Sequence, residues 1–137
     1  MINKIYVNDL IDYLYEEGNK DLISFGQLLG IVTYDQNDDS FGKKPIQRLE
    51  DALLLASFLV NSGDFDCVVY TKNPDSTFCL SSIADGVQGL AFLTRKRFEL
   101  GGIDDLELVS GFWLRKLSFG NKRPTIGEDI YFIFSTR

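Results

Sequence analysis

Apolar residues recur at helical spacing near the start of the chain. Leu10, Ile11 and Leu14 would share a face, with Val7 as a staple before an Asn8 N-cap. Asp9 and Asp12 suit the positive end of a helix dipole, and Gly18 is a natural stop, so a helix is predicted over about 9–17. Ser24 followed by Gln27 is a capping box ahead of Phe25, Leu28, Leu29 and Val32, which predicts a helix over 24–34 despite Gly26 and Gly30. Asp35 to Lys44 is polar and aperiodic and reads as a loop.

Pro45 fits the first turn of a helix running to about Asn61 and ending at Gly63. Its first half is amphipathic. Its second half, Ala52 to Val60, is apolar on every side and belongs at the centre of a core.

Phe65 to Lys72 is the clearest strand, rich in β-favouring residues. Asn73-Pro-Asp-Ser76 reads as a turn, and 77–80 as the returning strand. The simplest register sets Tyr70 against Cys79 and Cys67 against Ser82, placing the two cysteines on opposite faces and arguing against a disulfide. Ser82 to Glu99 reads as a helix in preference to a hairpin through Asp85-Gly86, with basic residues near its end and Gly101-Gly102 after it. Asp104 and Glu107 suggest a further cap, and Leu106, Val109, Trp113 and Leu117 a last helix over 105–118. The run 129–136 is strongly β-prone and does not alternate, so it is expected as a covered strand beside 65–72. The expected fold is therefore α+β, a single globular domain over 1–137: four to five helices on a small, mostly antiparallel sheet with strands near 65–72, 77–80 and 129–136.

Composition narrows the chemistry. The chain has no histidine, which removes Ser–His and Cys–His nucleophiles and the commonest metal ligand. Two cysteines are too few for a disulfide framework. No apolar run approaches the length of a bilayer helix, and the N-terminus does not read as a signal peptide, so the expected location is cytoplasmic, away from membranes.

Asp35, Asn37 and Asp39 resemble the first half of a calcium loop, but Ser40 stands where that loop needs Gly and Ile46 where it needs Glu. The paired glycines lack the rest of a phosphate loop. Arg95 to Arg97, Arg115-Lys116 and Lys122 lie among aromatics, but they read more simply as helix-end charges and internal pairs than as a nucleic-acid site. No catalytic, cofactor or metal-binding residue is singled out, and the chain is not expected to be an enzyme.

Charge is uneven. Residues 1–66 hold five basic and twelve acidic side chains, a net of −7, and residues 67–137 hold nine and eight, a net of +1. An acidic first half steers toward a basic protein. The sequence thus points to an acidic antagonist: an immunity-type protein that neutralises a toxin, or a phage-type inhibitor of a defence nuclease. The expected contact residues are Asp9, Asp12, Glu16, Glu17, Asp35, Asp38 and Asp39, with a monomer favoured over a homodimer. The alternatives are a secretion chaperone or assembly factor, and a small enzyme using carboxylate chemistry.

Overall fold

The first helix begins earlier than its apolar spacing suggests. A computed structural model describes residues 3–109, 111–117 and 123–135, and in it α1 spans Lys4–Lys20. Asn3 is the cap, its side chain accepting from the Tyr6 N–H at 3.0 Å. Asn8 lies inside the helix instead, donating to the Lys4 carbonyl at 2.7 Å and the Tyr131 hydroxyl at 2.8 Å. Val7, Ile11, Leu14 and Tyr15 form the buried face, so Val7 is core and not a staple.

The next elements match their start signals. Ile23–Ser24 form a two-residue strand, β1, and α2 follows over Phe25–Thr33 with both halves of the Ser24–Gln27 capping box in place. Helix α3 runs over Pro45–Asn61 with Pro in its first turn. Leu49, Ala52, Leu55, Ala56 and Leu59 are fully buried, which puts α3 at the centre of the core.

The loop between α2 and α3 hides a cation. The Lys43 side chain is 1% exposed, and its ammonium donates to the carbonyls of Val32 and Ile133, each at 2.7 Å. Nζ also lies 2.9 Å from Asp51 Oδ2 on α3 and 4.8 Å from the centre of the Phe41 ring. Val32 is in the last turn of α2, and Ile133 ends α5, which spans Glu128–Ile133. Final-turn carbonyls lack partners within their own helix and carry its negative dipole end, so one cation closes two helices at once.

Strand β2 spans Phe65–Lys72 and β3 spans Phe78–Ser82. Their register is one residue off the simplest hairpin: Tyr70 faces Leu80, Thr71 faces Cys79 and Val68 faces Ser82. The cause is the turn, where the Asn73 N–H bonds the Thr77 carbonyl at 2.7 Å and Ser76 takes φ 71°, closing a three-residue loop. The shift corrects the placing of the cysteines. Thr71 is on the Cys67 face of β2, so both cysteines share that face, four residues apart along the strand. Both are free thiols, Cys67 buried and Cys79 exposed.

Helix α4 covers Gly86–Val109 and breaks at Gly102. The expected helix over 105–118 holds as far as Val109 and is corrected beyond it. Gly111 sits at φ 65°, a left-handed conformation that ends a helix, and Phe112–Lys116 form strand β4. Phe112 and Leu114 point to the core, so the Val109, Trp113, Leu117 spacing is a coincidence laid over a period of two. The expected strand over 129–136 is corrected too. Residues Glu128–Ile133 are helical, with two carboxylates in the first turn. Ile130, Tyr131, Ile133 and Phe134 are buried while Phe132 is 58% exposed, a one-sided helical pattern.

Strand β4, and not 129–136, pairs with β2. The sheet order is β1-β4-β2-β3 with every pairing antiparallel. Among the described residues, five helices pack on these four strands, giving the α+β fold. Phe65, Cys67, Phe112, Leu114 and Ile23 turn one face of the sheet into the core. No helix among the described residues is long and apolar enough to cross a membrane.

Replacing Lys43 with Met removes the buried ammonium that lies 2.9 Å from the Asp51 carboxylate. Urea unfolding is expected to show a loss of about 3–5 kcal/mol. The pair Lys43→Met with Asp51→Leu should recover much of it, and a loss below about 1 kcal/mol for the single change would mean the pair behaves as a surface contact.

The cysteines should differ in reactivity. Burial, aided by the Asp66 charge, pushes the Cys67 thiol up to about 12. Hydrogen bonds with Thr71 first, then Ser81 and Asn73, hold the exposed Cys79 thiol below its ordinary value. A thiol reagent near neutral pH is expected to label one cysteine in the native protein, mapped to Cys79, and both in denaturant; fast labelling of both in the folded state would contradict this placement.

Candidate functional site

The outward stripe of α1 follows from its buried one. With Val7, Ile11 and Leu14 inward, a 100° step per residue turns Ile5, Asp9, Asp12, Tyr13 and Glu16 to the opposite side. Ile5 is 77% exposed and Tyr13 47%, and Asp9 and Glu16 are exposed between them. The stripe is therefore acidic with two apolar side chains set into it. Glu16 stands near the C-terminal end of the helix, where the dipole opposes a carboxylate, so helix stability does not account for its position.

The second acidic group is brought to the start of this helix. In the turn at 35–39, Asp35 Oδ1 accepts from the N–H groups of Asn37 at 2.8 Å and Asp39 at 3.0 Å, and the Asp35 N–H returns to the Asp39 carbonyl at 2.8 Å. Asp38 takes φ 63° and faces solvent with Asp39. The Asn3 amide donates to Gln36 at 3.2 Å, docking the turn on the α1 N-terminus. Tyr6 records the proximity, since its hydroxyl is raised above the usual tyrosine value by burial and then by the charges of Asp35 and Asp38.

The seven expected contact residues divide accordingly. Asp9 and Glu16 share the α1 stripe, and Asp38 and Asp39 stand exposed on the turn at its start. Asp12 is on the stripe but is held by Arg123, Nε to Oδ1 at 2.6 Å. Glu17 sits half-buried on the helix flank, and half-buried Asp35 spends its carboxylate on its own turn. Ile5 and Tyr13 were missed by sequence reading, because a helix starting at 9 leaves Ile5 outside it. The helical period, extended back one turn, would have found Ile5, and Tyr13 already lay on the outward side of the expected helix.

The other features have structural roles. Arg95 pairs with Glu50 of α3, Arg97 with Asp105 at 3.4 Å and Arg115 with Asp66 at 3.2 Å, which disperses the basic groups among separate partners. At Gly89 an added Cβ would fall 2.0 Å from the Ala84 carbonyl oxygen, so this glycine is a point of close chain approach. The half-loop of calcium type is closed on its own N–H groups, and among the described residues no three His, Cys, Asp or Glu side chains converge.

Open grooves among the described residues include two larger than the hollow of about 160 Å³ between Tyr6, Asp35 and Phe41. One of about 330 Å³ runs between α3 and residues 124–130, with Asp129 its one carboxylate. One of about 420 Å³ lies at the start of α4, largely apolar, lined by Ile83, Phe92 and Leu93, with Asp85 its one carboxylate. Neither brings two carboxylates together among its lining residues.

No family model matches the chain, and neither a curated relative nor a solved structure matches it.

Proposed function

We propose that this chain is a cytoplasmic, acidic protein-binding antagonist, of the immunity or nuclease-inhibitor kind, that covers the basic surface of a toxin. The observation that carries the reading is the outward stripe of α1. There Asp9 and Glu16 alternate with exposed Ile5 and Tyr13, and Asp38 and Asp39 stand on the turn docked at the helix start. Carboxylates on such a surface speed encounter with a cationic partner. An exposed tyrosine and isoleucine among them supply the apolar anchors that slow its departure. The contact set narrows to Ile5, Asp9, Tyr13, Glu16, Asp38 and Asp39, with Asp12 already engaged by Arg123.

A second reading, a secretion chaperone or assembly factor, rests on the apolar groove at the start of α4, where Phe92 is 65% exposed. The two differ in the residues they need. A client held in that groove is lost with Phe92→Asp and untouched by changes on α1.

The test is binding to the basic toxin or nuclease encoded beside this chain in its native host, followed by stopped flow. Association should slow steeply as salt rises, and Asp9→Lys with Glu16→Lys should slow it by about tenfold or more. Tyr13→Ala should act on dissociation instead, speeding it by roughly 10- to 100-fold. Association indifferent to salt and to the charge reversals would overturn the reading.

A further inference from the structure

The two edges of the sheet are built differently. On one side β1 is two residues long and runs straight into α2, so little backbone is left open. On the other side β3 is five residues, Phe78–Ser82, and among the described residues the one strand it pairs with is β2. Nothing on it blunts the edge, for Ser76 to Ala84 contains no charge and no proline.

The hydrogen-bond phase says which groups point outward. The Ile83 N–H bonds the Cys67 carbonyl at 2.8 Å and the Asn73 N–H bonds the Thr77 carbonyl at 2.7 Å, so residues 77, 79, 81 and 83 turn their backbone groups to β2. Phe78, Leu80 and Ser82 then turn theirs to the open edge. Among the described residues no backbone bond reaches them from that side. Their side chains share the face of the sheet away from the core with Tyr70 and Trp113, whose rings meet edge to face at 4.9 Å. Phe78 is 65% exposed at its end.

We propose that β3 pairs antiparallel with β3 of a second copy of this chain, about a two-fold axis at Leu80. The three outward residues are symmetric about Leu80, so this register bonds Leu80 to its own equivalent and Phe78 to Ser82 in both directions. Every outward N–H and C=O of the edge is then satisfied. The charge distribution favours this site for self-association. Two copies each carrying −6 repel elsewhere, whereas the paired segments are uncharged and the acidic α1, which packs on β1 and β4, lies toward the other edge. The sheet becomes eight strands with an α1 stripe toward each end, a departure from the monomer expected on sequence. The pairing does not depend on the proposed function.

A five-residue strand pair buries less than the roughly 1,600 Å² of a typical stable complex, so the dimer should be weak and concentration-dependent. Sedimentation of the full chain from ~10 μM to ~1 mM spans the range expected of so small an interface. The expected result is a monomer–dimer equilibrium within that range. Leu80→Pro removes an N–H that β2 does not use, so it should leave the fold and its thermal transition near those of the parent while weakening the dimer by at least about tenfold. Leu80→Lys, which sets two like charges face to face, should do the same by another route. A parent chain monomeric throughout the range, or a dimer unaffected by the folded variants, would overturn the proposal.

Discussion

One buried ammonium ties together elements that the sequence keeps far apart. Lys43 bonds the last turn of α2 and the end of α5 and pairs with Asp51 in the middle of α3. A lysine moved out of water at a large desolvation cost is tolerated only when acceptors surround it, and here two helix C-termini and a carboxylate converge. Without the ammonium those carbonyls of α2 and α5 would need other partners, and residues 41–44 would be left with Phe41 as their hold on the core. Arg123 does similar work at the surface. It joins Asp12 and Asn8, both at 2.6 Å, to the segment leading into α5.

The clamp bears on the candidate site. The acidic turn at 35–39 lies between the end of α2 and the buried Lys43, and the Phe41 N–H bonds the Thr33 carbonyl at 2.9 Å. With both its ends fixed, the turn is held where Asn3 and Tyr6 receive it. Asp38 and Asp39 thereby stand as neighbours of α1 although α2 separates them in sequence. A surface whose charges are fixed in advance gives up less conformational entropy on meeting a partner.

What was legible in the sequence was what is encoded locally. The Ser24–Gln27 box, Pro45 and the run from Phe65 each declare an element within a few residues, and α2, α3 and β2 have the expected bounds to within a residue or so. What was illegible depended on tertiary choice. Leu106, Val109, Trp113 and Leu117 recur at a period near four while Phe112 and Leu114 recur at a period of two, and only pairing between β1 and β2 decides for the strand. Residues 128–133 are β-prone by composition, yet one covered face and one exposed Phe132 suit a helix docked on α3. Lys43 gave no signal, because Gly-Lys-Lys-Pro reads as a solvated loop until two distant helix ends meet there. For the candidate site, Asp9 and Glu16 were readable as a charged face, whereas the diversion of Asp12 to Arg123 spans 111 positions and leaves no local mark.

The central claim is that burial of Lys43 fixes the acidic turn beside α1. Amide hydrogen exchange at Asp39 and Phe41, whose N–H groups bond within and next to the turn, reads this most directly. In Lys43→Met, held under conditions where the fold persists, both amides should exchange at least about tenfold faster than in the parent, the mark of a local opening made easier. Unchanged exchange at both positions, with acceleration confined to the core strands, would show that the turn holds its place without the clamp.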